Sequence, residues 1–340
     1  MHFKIGKRIT LCLLLTLFLI IVSASFFKIS NFSAIAAEEG NIVYLGGFPV
    51  GIASYSDNFI VSEIINVTTT EGSFSPALKA GLSKGDIILF VNGEKITDIN
   101  TFNDIVSSSE KVVVTVRRGD TVSDYTIVPV LDVTQNRKKL GLQIKNVLSG
   151  IGTMTFIGKN GRYAALGHMI SDEFGNNSIY NKGNIFSCEI IGFKVADEEG
   201  PGALRGNVDF KSVIGEIDVN SFKGLYGKYL GNTEGLEEIE VGKATDVKPG
   251  KAYIYTTISG KTPKYYEIDI VKTFKQDVPA EKSMVIRVVD KELKQETGGI
   301  LQGMSGSPIV QDGKLVGAVT HVFNSDSTKG YGIYAEWMTY

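Results

Sequence analysis

One serine stands between glycines in Gly303-Met304-Ser305-Gly306, followed by Pro308 and by two apolar runs hinged at Asp312-Gly313. Glycine on either side lets the backbone fold back, so that the N–H groups of Gly303 and Ser305 can converge beside the hydroxyl. Donors placed there would hold a developing oxyanion, at about 3 kcal/mol each. The Asp-Gly pair between β-rich runs is a hairpin signal, because both turn residues must accept positive φ. The chemistry is that of a serine nucleophile on a tight loop that feeds a sheet. Its hydroxyl needs a base, and the histidines are His2, His168 and His321. His168 follows the apolar run 163–166, with Gly167 to expose it. His321 ends the strand after the serine hairpin, where the direction of the side chain is open, and it reads as a packed or surface histidine. His168 is therefore the candidate base. A third group must orient the imidazole. Asp172, Asp197, Asp209, Asp218, Asp246, Asp269, Asp277 and Asp290 all lie between His168 and Ser305, and spacing does not choose among them. Asp290 is singled out only by ending an apolar strand, as a carboxylate at a barrel rim would.

The fold must bring together a base and a nucleophile that lie far apart in sequence. Residues 140–340 read almost wholly as short strands, about twelve of them, with no long amphipathic helix between. That pattern suits two six-stranded barrels with the site in the cleft between them, the base coming from the first and the nucleophile from the second. The serine stretch resembles the GDSGGP loop of chymotrypsin-like peptidases, with Met304 at the usual Asp and Ser307 at the last Gly. Without that Asp, activation through a new N-terminus is not expected.

A length of 340 residues is a prior for two domains or slightly more. The chain is 43% apolar and 21% charged, with 38 glycines and 8 prolines, a composition suited to a turn-rich β protein. A net charge of -2 and the lack of a basic block give no reason to expect nucleic acid. Cys12 and Cys188 are the two cysteines, too few for a disulfide framework or a thiolate zinc site. No HExxH-type spacing occurs, and neither a metal nor a cofactor is called for. Lys4, Lys7 and Arg8 precede an apolar run through residue 27, which predicts a signal or transmembrane anchor at 1–27 with everything after it exported. Ala34-Ile35-Ala36 is also a small-residue cleavage pattern. It lies well past the apolar run, which favours the anchor, and residues 28–40 then form an exposed tether.

Residues 41–131 read as a second compact unit. Ser75 and Pro76 open a short helix that Gly81 closes, Asn92-Gly93 makes a hairpin turn, and a second helix is expected from 101 to 107. The run 75–88, from Ser75-Pro76-Ala77-Leu78 through Gly85-Asp86-Ile87-Ile88, resembles a PDZ domain of the bacterial protease-associated kind. The resemblance implies that an extended peptide adds as a strand beside the second helix. Its terminal carboxylate is expected at the backbone of Phe48, Pro49, Val50, Gly51 and Ile52. A brace for the catalytic domain is the alternative role. Residues 132–139 read as a polar linker.

An anchored amino terminus, a PDZ domain and a carboxy-terminal peptidase meet here in one chain. It carries Ala165-Leu166-Gly167-His168-Met169-Ile170, then Val288-Val289-Asp290, then Gly299-Ile300-Leu301-Gln302-Gly303-Met304-Ser305-Gly306-Ser307-Pro308. This combination resembles the stage IV sporulation protein B peptidase family of endospore-forming bacteria. The resemblance puts a catalytic triad on His168, Asp290 and Ser305. It implies a signalling protease in the space between the two forespore membranes, which processes itself and cuts a membrane-bound inhibitor of an intramembrane metalloprotease. Processing of the late mother-cell sigma factor would follow. Two other readings stay open from the residues alone. One is a general exported quality-control protease, whose PDZ domain would usually follow the protease domain. The other is a non-catalytic binding protein in which Ser305 only shapes a turn.

Overall fold

A computed structural model describes residues 42–176, 180–195 and 202–339. The expected anchor at 1–27 and tether at 28–40 lie outside the described residues, among which no helix is long and apolar enough to cross a membrane. The described residues are mostly β, 56% strand and 10% helix. In chain order the elements are β1 (Ile42–Leu45), β2 (Pro49–Ile64), β3 (Val67–Thr69), β4 (Gly72–Phe74), α1 (Pro76–Ala80), β5 (Ile87–Val91), α2 (Ile99–Ser108), β6 (Val112–Arg118), β7 (Thr121–Ile127), β8 (Val130–Asp132) and β9 (Arg137–Lys139). There follow β10 (Leu142–Gly158), β11 (Arg162–Ala165), β12 (Lys182–Lys194), β13 (Ala203–Ile217), β14 (Val219–Ser221), β15 (Gly224–Lys228), β16 (Glu238–Val241), β17 (Gly250–Thr256) and β18 (Lys264–Thr273). The last are β19 (Met284–Val288), α3 (Lys291–Thr297), β20 (Pro308–Gln311), β21 (Lys314–Phe323), β22 (Asp326–Tyr334) and α4 (Ala335–Met338).

Strand pairings close two rings. In the first, β2 pairs with β10 and β12, β12 with β13, and β10 with β11, which pairs in turn with β15. A bridge from Gly215 to Tyr229 joins β13 to the end of β15 and completes the circle. Val50, Ile52, Met154, Ile157, Tyr163 and Leu225 fill it. In the second ring β17, β18, β19, β22, β21 and β20 pair in succession and back to β17. Ile254, Tyr266, Ile268, Met284, Ile286 and Ile309 fill that one. Between them β1 pairs with both β10 and β16, and β16 runs parallel to β21.

The PDZ unit packs α1 and α2 on a sheet of β5, β6, β7 and the far half of β2, around Phe59, Val61, Leu82, Ile88, Phe102 and Val114. Its first helix forms as its sequence demands. The Ser75 hydroxyl accepts from Leu78 N, Pro76 fills the first turn, and Gly81 closes the helix at φ 99°. Asp98 caps α2 by accepting from Asn100 N and Thr101 N, both at 2.9 Å, so this helix begins two residues before the expected Thr101.

The pairings divide the chain differently from a PDZ unit over 41–131 and a linker over 132–139. β1 and the first half of β2 belong to the barrels, and residues 130–139 form the β8–β9 hairpin. β10 leaves the PDZ unit, where Leu142 faces Ile64, and runs straight into the first barrel, where Thr153 faces Pro49. The two strands are each about three times a usual strand length, so one ribbon serves both bodies and no linker is needed.

Candidate active site

The serine loop is built by backbone geometry that only glycine supplies. Gly303 and Gly306 have φ of 96° and 95°, and Met304 between them is fully buried. Met304 N donates to Leu301 O at 3.1 Å and Ser307 N donates to Met304 O at 2.9 Å. β10 engages the loop's carbonyls. Thr153 N donates to Ser305 O at 2.9 Å, the Thr153 hydroxyl to Gly303 O at 2.9 Å and the Thr155 hydroxyl to Gly306 O at 2.8 Å. Upstream, Gln302 N donates to Gly202 O, and Leu204 N donates to Gln302 O, both at 2.8 Å. With its carbonyls held, the loop keeps two free donors. Gly303 N–H and Ser305 N–H reach no acceptor among the described residues.

His168 stands after β11 on a reversed turn. Leu166 and Gly167 both have φ of 69°, and at Leu166 a side chain makes this costly, by about 1–2 kcal/mol. Burial of that side chain and a bond from Leu166 N to Thr153 O hold it. The Nδ1 of His168 lies 2.7 Å from Met169 O. A carbonyl only accepts, so Nδ1 carries the proton and Nε2 is the basic nitrogen. Burial lowers the His168 pKa, against the Met169 carbonyl and the charge of Glu281, so the ring is neutral and able to take a proton at pH 7.

The loops of Ser305 and His168 lie against each other. A Cβ on Gly306 would stand 2.2 Å from Thr153 O and 2.4 Å from Leu166 N. The Ser305 hydroxyl donates to Thr320 O at 2.8 Å, and no bond joins it to His168 here. Catalytic hydrogen bonds are often misaligned until substrate binds. The ring of His321, next after Thr320, lies 4.8 Å from that of His168, centroid to centroid. Partial burial, His168 and Lys282 push the His321 pKa down to about 4. The two rings border a cleft of about 350 Å³, with Ile52, Leu148, Gly150 and Ile170.

Residues 136–339 match the family model described as SpoIVB peptidase S55. The chain belongs to the SpoIVB peptidase S55 family. A PDZ-domain family model matches residues 67–118 of this S55 peptidase. No curated protein matches its sequence significantly.

Asp290 is not brought to His168. Its carboxylate accepts from Leu293 N at 2.9 Å and from Glu267 N at 3.3 Å, capping α3. Among the described residues no carboxylate bonds to either nitrogen of His168. An Asp at a strand end reads alike whether it faces a cleft or caps the next helix, and here Lys291–Thr297 form that helix. Asparagine caps as well as aspartate. Asp290→Asn keeps the bond from Leu293 N but turns an amide NH2 toward Glu267 N–H, so it is expected to lose about 1 kcal/mol of stability and less than about tenfold in turnover, whereas a triad Asp replaced by Asn loses about 10⁴-fold. A drop of the larger size in a hydrolysis assay would return Asp290 to the triad.

The expected carboxylate loop is placed elsewhere too. Pro49, Val50, Gly51 and Ile52 are strand β2, and Val50 and Ile52 are buried in the first barrel. Phe48 packs toward Tyr229, at 6.5 Å between rings. A Cβ on Gly51 would stand 2.3 Å from a methyl of Val208, so no peptide end enters there. In the PDZ unit a turn is made at Leu140, Gly141 and Leu142. Gly141 has φ 76°, its carbonyl accepts from the Ser75 hydroxyl and from Ile65 N, and Leu140 is core. From Leu142 to Lys145, β10 pairs with β2 on one edge and with no strand on the other among the described residues. Thr153 and Thr155, which hold the serine loop, belong to no motif. Two hydroxyls alternating with Met154 and Phe156 in a buried strand must find partners, and that was the available signal.

Proposed function

We propose that this peptidase is a serine endopeptidase of chymotrypsin-like double-barrel architecture, in which Ser305 attacks a peptide carbonyl and His168 Nε2 takes its proton. The carbonyl oxygen, negative in the tetrahedral intermediate, is held by Gly303 N–H and Ser305 N–H, and His168 then returns the proton to the leaving amine. The observation that carries this reading is a serine whose own N–H and that of Gly303 are unengaged, on a loop packed directly against the loop of a histidine. Family membership supports it. Incubation of the exported part with a fluorophosphonate tests it. Labelling at Ser305 is expected, lost in Ser305→Ala, and an unlabelled wild-type chain would refute it.

The biological setting proposed is sporulation signalling, in the space between the forespore and mother-cell membranes. The chain would be anchored through its amino-terminal segment, cut a membrane-bound inhibitor of an intramembrane metalloprotease, and trim its own tether. Cutting of that membrane protein alone, with generic substrates such as casein spared, separates this role from general quality control.

The PDZ unit would take a carboxy-terminal peptide as an added strand on the open edge of β10 beside α2, since an unpaired edge offers backbone donors and acceptors at strand spacing. Peptide addition is expected to slow amide hydrogen exchange at residues 140–146. Protection at 48–52 instead, or none anywhere, would leave the PDZ unit a brace.

A further inference from the structure

Two histidines meet at the cleft, and the mechanism uses only one of them. His321 stands on β21 directly after Thr320, whose carbonyl takes the Ser305 hydroxyl. The strand is tied to the serine loop just before that point, where Gly306 N donates to Val319 O at 2.8 Å and Val319 N to Ser307 O at 2.9 Å. β22 closes against it, and a Cβ on Gly330 would stand 2.7 Å from His321 O. On the other side, a Cβ on Gly167 would stand 3.1 Å from a Thr320 methyl and 3.4 Å from Val319 O. Close main-chain packing thus brings the two imidazoles together, 4.8 Å between centroids. Their planes are tilted by 37°, neither a flat stack nor an edge-to-face pair. Two imidazoles that share one zinc ion, with nitrogen to metal at about 2.0–2.1 Å and near the tetrahedral angle, have centroids about 5 Å apart.

The ring nitrogens suit that arrangement. His168 Nδ1 donates to Met169 O, the kind of outer bond that orients a metal-binding imidazole, and Nε2 is left to the cleft. His321 is exposed, and no hydrogen bond occupies either of its ring nitrogens among the described residues. The charge of Glu281 acts on His168 and that of Lys282 on His321, but Lys282 Nζ is drawn over the Tyr331 ring, 4.7 Å from its centroid. Among the described residues no group of three His, Cys, Asp or Glu side chains could hold a metal ion. An ion held by two histidines keeps positions for water and exchanges, unlike structural zinc with four protein ligands.

We propose that His168 and His321 form a two-histidine site for a divalent transition-metal ion of the zinc type, whose binding switches the peptidase off. The ion takes the Nε2 lone pair on which the Ser305 proton has to land, so coordination and general-base catalysis exclude each other. Imidazole selects zinc and its neighbours against magnesium and calcium, which take oxygen ligands. Inhibition rests on the reading of Ser305 and His168 as nucleophile and base, whereas binding of the ion does not.

The test is fluorophosphonate labelling of the full chain with zinc chloride, with magnesium chloride and with neither, each variant being compared with itself without metal. Zinc is expected to slow wild-type labelling by about 10²-fold or more at saturation, the share a general base contributes. A chelator restores the rate, and magnesium does nothing. In His321→Ala the zinc concentration that halves the rate is expected to rise by about 10²-fold, at the upper end of what losing even a contact behind a ligand does. Zinc that slows wild type and His321→Ala at the same concentration would overturn the proposal, as would a wild type that zinc leaves untouched. If His321→Ala fails to fold, His321→Gln takes its place. Calorimetric titration of zinc into Ser305→Ala reads binding without any labelling. A site is expected there that disappears when His321→Ala or His168→Ala is added, and no such site refutes the proposal. An unlabelled wild type would remove the Ser305–His168 reading, and the titration would then decide the metal site by itself.

Discussion

Ser305→Ala and His168→Ala are each expected to lower peptide hydrolysis by about 10⁶-fold, and the double variant to be no worse than either single one. The nucleophile and base act in one step, so removing either already forfeits what the other adds. Whatever remains comes from the Gly303 and Ser305 N–H groups, which alanine at 305 leaves in place. Stability should hardly change. The Ser305 hydroxyl makes one bond, to Thr320 O, and losing one such bond costs about 1 kcal/mol. His168 sits partly exposed at the cleft with one bond, to the carbonyl of the next residue. The measurement is a rate of hydrolysis beside a thermal midpoint for all four proteins. A His168→Ala protein cleaving at the wild-type rate sinks the base assignment. Additive losses, with the double variant far below both, would mean that the two residues work in separate steps. A non-catalytic binding protein would show no hydrolysis to lose.

What could be read in the residues was whatever local geometry demanded. Gly303 and Gly306 take the positive φ that the serine loop requires, and Asp312 and Gly313, at 51° and 76°, make the expected turn between β20 and β21. Gly167 before His168 carried the same kind of signal. The PDZ helices announced themselves through Ser75, Pro76 and Gly81. Other features depended on partners distant in sequence. Ser56, Asp57 and Asn58 look like a turn and do bulge out of the ladder, yet β2 continues past them, because Tyr55 faces Val147 and Lys182 before the bulge and Ile60 faces Lys145 after it. Nothing within residues 49–64 reports that pairing, so the barrel strand was read as a PDZ loop. Asp290 had a local signal that went unused, in the run Lys291–Thr297 closing on Gly298 at φ 74°.

β10 explains why the two bodies share a ribbon in place of a hinge. Its first residues offer an open edge in the PDZ unit, and Thr153 and Thr155 further along hold the carbonyls of Gly303, Ser305 and Gly306. The loop of Gly303 and Ser305, the proposed oxyanion donors, is therefore held by the strand that also carries the proposed peptide-binding edge.

The closest backbone approach of the site gives the second large effect. Gly306→Ala places a Cβ 2.2 Å from Thr153 O and 2.4 Å from Leu166 N, in a backbone conformation of φ 95° that side chains rarely adopt. Both opposing atoms are main chain, and each belongs to a segment already fixed, Thr153 in β10 and Leu166 in its reversed turn, so no flexible side-chain end can yield. Strain and overpacking together are expected to cost about 3 kcal/mol or more. Relief can only come by parting the serine loop from the histidine loop, and a displacement of about 1 Å between reacting groups costs roughly 10²-fold in rate. Gly303→Ala makes the control. It has the same kind of φ, 96°, but its Cβ would meet only the side chain of Leu204, at 3.1 Å. Thermal midpoint and fluorophosphonate labelling, measured on both variants, read the two consequences separately. Gly306→Ala should fall well below Gly303→Ala in both. If it keeps the wild-type midpoint, the loops are not in contact as described; if only the midpoint falls and labelling persists, their separation does not control the chemistry.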